Sequence, residues 1–179
     1  MRALWLAAFA IGCSRGATPA PAPAASASAI AAAVAEASPA SSVDKALAEV
    51  DRVHGGHGPW AVSGYRMGVY ALGKLGLARQ AFDLEVEHHS PLSPQYACVA
   101  DGAAASTGAS VGKLNLKLVE ATADQVQTVY KNRATGAKVT LRPTAKFVAR
   151  FKDVPMPELG AAGKTAMGLP DADVFEEVH

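Results

Sequence analysis

Apolar positions along this chain recur with two periods, and the change of period divides it into elements. Ala46, Leu47, Val50 and Val53 stand at helical spacing, so a helix is predicted from Ser42-Val43-Asp44 to about Val53, with Ser41 or Ser42 as its cap. The next stretch, His54-Gly55-Gly56-His57-Gly58-Pro59, cannot continue a helix and presents two histidines on a turn. Pro59 suits a first helical turn, and a second helix is expected to about Leu75 with Val62, Tyr65, Val69 and Leu72 on one stripe. Gly64 and Gly68, one turn apart on it, would admit a neighbouring backbone closely. The period then becomes two. Phe82, Leu84 and Val86 alternate with Asp83, Glu85 and Glu87, which predicts a half-buried strand with His88 on the apolar face and His89 on the polar one. Pro91 and Pro94 break it. Leu114 to Val119 reads as a strand, and Val126–Tyr130 pairs with Lys138–Arg142 as a hairpin across Asn132–Gly136. The tail is expected to hold a helix at Thr144–Phe151, a loop around Pro155 and Pro157, and a short helix opened by Asp171. No internal repeat is present. The sum predicts an α+β fold with helices packed on a small, mainly antiparallel β-sheet.

The first forty residues follow neither period. Met1-Arg2 precedes the apolar run Ala3–Ile11, far shorter than the roughly 20 residues that span a bilayer, and this reads as an export signal. Ala10-Ile11-Gly12-Cys13 resembles the box in which a cysteine is acylated and becomes the new N-terminus. Residues 1–13 are therefore expected to be a lipoprotein-type signal ending at Cys13, the lipidation site. Ser14 after that cysteine points to an outer-membrane or periplasm-facing location and to the lipid bilayer as a partner. Residues 14–40 are almost wholly Ala, Pro and Ser and read as a disordered tether; residues 41–179 have the length of a single domain.

Charge narrows the function classes. Seventeen Lys and Arg nearly balance sixteen Asp and Glu, with no basic cluster, so nucleic acid is not an expected partner. A small molecule is; a homodimer is compatible with the pattern, but no stripe demands it. With Cys13 acylated, Cys98 is left unpaired in an oxidising compartment, so it is either well buried or used.

Candidate chemistry gathers between Tyr96 and Leu116, where small residues in such density argue for close backbone approach to an element or a ligand. Gly108 and Gly112-Lys113 invite comparison with a phosphate loop, but three residues separate the glycines where four are required, and Leu114 follows the lysine where a Ser or Thr would hold magnesium. Backbone amides at Thr107–Ser110 beside Lys113 remain either an anion nest or an ordinary turn. His54, His57, His88 or His89, Cys98 and Asp101 are metal-ligand types, although their spacing matches no tight ligand pair. Cys98 as a nucleophile would need His54 or His57 as an adjacent base, with Asp101 one helical turn on to orient it.

Several short motifs, in this order, carry a resemblance: His54-Gly55 with Pro59; Gly64-Tyr65-Arg66-Met67-Gly68; Cys98-Val99-Ala100-Asp101; Thr107-Gly108; Gly112-Lys113-Leu114-Asn115-Leu116; and Asn132 with Thr135-Gly136. From about His54 to Arg142 the chain resembles the FmdE family, which takes its name from formylmethanofuran dehydrogenase. The resemblance implies an α+β domain with a groove in which a histidine and cysteines bind metal. Against the family's His-x-His-x-Cys-Pro-Gly, the chain keeps His54 but has Gly56 and Gly58 at the second histidine and the cysteine. Against Gly-Cys-Thr-x-Gly it has Ala109 and Ser110. His54, Cys98 and Asp101 stay in register, with His57 one position away. The expectation is a membrane-anchored, extracytoplasmic accessory domain that binds a small ligand through Asp101, Thr107, Ser110, Lys113 and Asn115. A divalent metal such as zinc would lie on His54, His57 and Cys98. The alternatives are an enzyme using a His/Cys-ligated metal and a structural or partner-docking lipoprotein.

Overall fold

The sheet sets the frame for the site. The computed structural model describes residues 39–179, which lie in one compact unit. The signal, Cys13 and the tether as far as residue 38 fall outside the described residues. Strands β1 (Leu84–Ser90), β2 (Leu116–Glu120), β3 (Gln127–Asn132), β4 (Lys138–Pro143) and β5 (Phe175–Glu177) form one sheet in the order β2-β1-β3-β4-β5. Only β1 and β2 run parallel, joined through the helix between them; the other pairs are antiparallel. The fold is α+β with a mostly antiparallel sheet, as the apolar pattern predicts.

Alternation decides which strand face is buried. Leu84, Val86, His88 and Ser90 of β1 are covered, and the register sets Val86 beside Tyr130 and His88 beside Thr128 on the same face. His88 is fully buried, and that could be expected from its place in the alternation. Phe82 does not join the strand. It is 75 % exposed, because β1 begins two residues later. Leu114 is likewise outside its expected strand, in a left-handed conformation (φ 55°) before β2.

Of helices α1 (Pro39–His54), α2 (Pro59–Leu75) and α3 (Pro94–Thr107), α2 and α3 pack on the sheet and α1 packs against α3. Helix α1 begins at Pro39, so Pro39 and Ala40 are helical and Ser41 and Ser42 lie inside the first turn rather than capping it. Val53 and Val69 face outward, since burial centres on Leu47 and Val50 in α1 and on Val62, Met67 and Ala71 in α2. α2 and α3 approach so closely that a Cβ on Gly64 would lie 2.0 Å from the Val99 carbonyl oxygen, and one on Gly102 1.8 Å from that of Ala61. The backbone approach expected at Gly64 is therefore present, reciprocated from α3.

The tail is more ordered than its sequence suggests. Thr144 caps α4 (Ala145–Phe151), accepting from the Phe147 amide. Beyond Pro155 and Pro157, where only a loop is expected, lies α5 (Leu159–Gly168), followed by α6 (Asp171–Val174) and the short β5. Arg66 ties this tail down, donating to the Ala166 carbonyl at 2.8 Å and pairing with Asp171. Among the described residues no helix is long and apolar enough to cross a membrane.

Candidate functional site

Helix α1 delivers His54 as its last residue, and Gly55, with φ 83°, ends the helix there, its amide bonding the Asp51 carbonyl at 2.8 Å. The chain then turns through His57 and Gly58 into α2. This turn, the first turns of α2 and α3 and the start of α5 enclose a cavity of about 650 Å³. His54, His57 and Cys98 all line it, as do Trp60, Phe151, Val154, Met156 and Leu159, so its wall is largely apolar. Trp60 is held in place by donating to the Phe151 carbonyl at 2.9 Å and by edge-to-face packing on Tyr96 and Phe147.

Charged and ionisable side chains of both signs line the cavity: Asp51 beside His54, His57 and Lys152. His54 Nδ1 lies 2.8 Å from Asp101 Oδ2, three residues beyond Cys98 on α3. The Asp101 carboxylate, and after it the hydrogen-bonded Cys98, push the His54 pKa up to about 10 against the opposing effect of burial, so His54 is an imidazolium at neutral pH. Its position at the C-terminal end of α1 favours the same state. Lys152 adds a second cationic side chain to the wall. Both α2 and α3 open with a proline and without a side-chain cap, and their first intrahelical bonds come from the amides of Val62 and Ala97. Their positive ends, at Pro59–Ala61 and Pro94–Gln95, form part of the lining.

His57 is fixed separately. Its Nδ1 is 2.7 Å from Asp51 Oδ1, and its carbonyl sits so close to α5 that a Cβ on Gly163 would lie 1.5 Å from it. His88 is elsewhere, between β1 and α3. A carbonyl oxygen only accepts, so Nε2 donates to Tyr96 (3.1 Å) and Nδ1 accepts from the Thr128 hydroxyl (2.8 Å), which makes a neutral ring. Burial pushes its pKa down to about 4. His88 is a structural tie.

The other expected ligand residues are not brought to this cavity. Thr107 and Asn115 are buried and fully occupied: the Thr107 hydroxyl donates to Ala103 and accepts from the Ala109 amide, while Asn115 accepts from the Ser110 amide and donates to Leu84. Gly108 bonds Ala104, so the amides of residues 108, 109 and 110 are all spent within the chain and the anion nest is filled internally. Ser110 lines a different, smaller depression beside Arg52 and Arg79. Lys113 donates to the Gly108 carbonyl and rests over the Phe82 ring. Conversely, Lys152, Val154, Met156 and Leu159 are lining residues that sequence reasoning missed. The available signal was the apolar flank of Pro155 and Pro157.

A family metal finds too few donors. Zinc sites take three or four protein ligands, and among the described residues no three His, Cys, Asp or Glu side chains come together to hold an ion. Nδ1 of His54 and of His57 is each engaged by a carboxylate, and the Cys98 thiol donates to the Pro94 carbonyl.

No curated protein matches the chain. A family model described as FmdE, molybdenum formylmethanofuran dehydrogenase operon, matches residues 53–176, more than half of the chain, from the turn bearing His54 to the last strand, and the chain belongs to that family.

Proposed function

We propose that this FmdE domain is an accessory binding protein for a small amphipathic anion, a carboxylate with an apolar body. The observation that carries the reading is the 650 Å³ cavity whose apolar wall meets the protonated His54. An apolar lining with few fixed polar groups is the usual composition of a small-molecule site. Here those groups are His54, Lys152 and two helix N-termini against one carboxylate, Asp51, which is already hydrogen-bonded to His57, and that balance favours a negatively charged ligand. Lys152 supports the same sign.

The zinc reading on His54, His57 and Cys98 has weaker support, because those donors do not gather as a group of three. Extracytoplasmic presentation on acylated Cys13 is supported by the apolar run Ala3–Ile11 and the residues around Cys13, and predicts that Cys13→Ser releases the protein from membranes.

Equilibrium dialysis with octanoate and octanol tests the binding reading. Octanoate should bind at least tenfold more tightly than the alcohol, and His54→Gln should remove most of that preference. Equal binding of acid and alcohol would remove the basis for the anion assignment.

A further inference from the structure

Strand β2 ends the sheet, and among the described residues no strand pairs with its outer edge. The Asn115 carbonyl accepts from the Val86 amide at 2.8 Å, and the Ala121 amide donates to the Ser90 carbonyl at 3.0 Å, so in this parallel ladder residues 115, 117, 119 and 121 bond β1. The amides and carbonyls of Leu116, Leu118 and Glu120 therefore point away from the sheet. Val53, Val111, Leu114 and Leu118 expose apolar side chains along this edge. Such an edge is a template for a further strand, and Lys117, of the residue type that commonly guards one, is turned to the other face and held by Glu85 at 2.9 Å. Leu116 also lines a depression of about 550 Å³ that holds Arg52 and Arg79. The two guanidiniums share one carboxylate, Glu49, which leaves an excess of positive charge there. Glu120, exposed at the other end of β2, makes no ion pair among the described residues.

We propose that β2 pairs antiparallel with β2 of a second copy of this chain about a twofold axis at Leu118, so that Glu120 of each copy meets the Arg52 and Arg79 depression of the other. In this register Leu118 stands opposite itself and Leu116 opposite Glu120 of the second copy. The outward-pointing residues of the two strands then face one another, and each of their amides finds a carbonyl. Sliding the strands by two residues would carry Leu116 or Glu120 past the end of the opposing strand. Opposed residues share a face of the sheet. Leu116 lies beside Val86 on the face that the helices cover, so the incoming Glu120 arrives on the side of the two arginines and brings them a second carboxylate. A parallel copy would instead set Glu120 against Glu120, and like charges directly opposite oppose pairing. The contact is isologous and closed, and it joins two five-stranded sheets into one while covering Leu118. None of Arg52, Arg79, Leu116, Leu118 and Glu120 lines the larger cavity, so this inference stands apart from that cavity's ligand.

Sedimentation velocity of the full-length protein in density-matched detergent, over a series of concentrations, should show a reversible monomer–dimer equilibrium. Glu120→Arg should weaken the dimer by about tenfold or more, because it turns an attraction into a repulsion. Adding Arg52→Glu to that variant should recover most of the loss, a result that a variant merely failing to fold would not give. Leu118→Cys supplies a positive readout. Directly opposed residues in such a hydrogen-bonded pair have Cα atoms about 5.5 Å apart, within the reach of a disulfide, so mild oxidation should yield a covalent dimer. Val69→Cys, at a similarly exposed position on α2, should stay monomeric under the same oxidation. A chain that remains a monomer at every concentration, a dimer indifferent to Glu120→Arg, or equal cross-linking through both introduced cysteines overturns the proposal.

Discussion

Replacing Gly102 with alanine sets two effects of opposite sign against each other. On helix propensity alone the change stabilises by about 1 kcal/mol. In the structure, however, the new Cβ would lie 1.8 Å from the Ala61 carbonyl oxygen and 2.7 Å from the Tyr65 amide nitrogen. A carbon–oxygen contact needs about 3.3 Å, so α2 and α3 must part by roughly 1.5 Å to relieve the overlap. The blocking atoms are backbone and have no rotamer to change. Overpacking of this kind costs typically 1–3 kcal/mol and sometimes more, and the upper end applies here, for a net loss of about 2 kcal/mol. At roughly 4 °C per kcal/mol for a domain of this size, the melting temperature should fall by about 8 °C. Because α3 carries Cys98 and Asp101, a shift of that size also breaks the 2.8 Å contact with His54. Gly73 on the same α2 has open space around its Cβ position, so Gly73→Ala is the control and should raise stability by about 1 kcal/mol. Calorimetry reads both variants. A Gly102→Ala protein that melts at or above the parent temperature would refute the packing argument.

Two histidines give stability opposite dependences on pH. Folded His88 has its pKa near 4 against an ordinary 6.5, so below pH 6.5 the unfolded chain takes up a proton that the folded one refuses; stability is complete above 6.5 and falls as the pH drops toward 4, by about 3 kcal/mol in all. Urea midpoints across that range should show the loss, and His88→Gln should flatten it. His54 acts the other way: its contribution is complete below pH 6.5 and is lost as the pH rises toward 10. NMR titration should find its ring still protonated at pH 8 in the parent and deprotonated earlier in Asp101→Asn. Treatment with a chelator should leave the melting temperature unchanged, because the donor set lacks a group of three; a fall of several degrees with release of stoichiometric zinc would overturn the donor argument.

Local patterns in the sequence determine much of this domain. Pro59 at a first turn and Gly76 in a left-handed C-cap bound α2 where its sequence predicts. Alternation places His88 on the buried face, and the Asn132–Gly136 turn joins β3 to β4, with the Asn132 side chain accepting from the Ala134 amide. Each of these follows from contacts within a few residues, so chain order suffices. Helix α5 was not legible, because Gly160 and Gly163 interrupt its Leu and Ala residues just after Pro155 and Pro157; its packing of Gly163 on the His57 carbonyl is tertiary. Nor could spacing separate the roles of the small and polar residues shared with the family. Thr107 and Asn115 read as ligand contacts in one dimension, yet burial obliges them to satisfy backbone groups instead. The sequence by itself named His54, Cys98 and Asp101 as candidates. Only the close approach of α2 and α3, with α1 packed against α3, brought His54 to a carboxylate 47 residues away and set His54 and Cys98 on the wall of one cavity, because proximity across such a separation is decided by how helices pack.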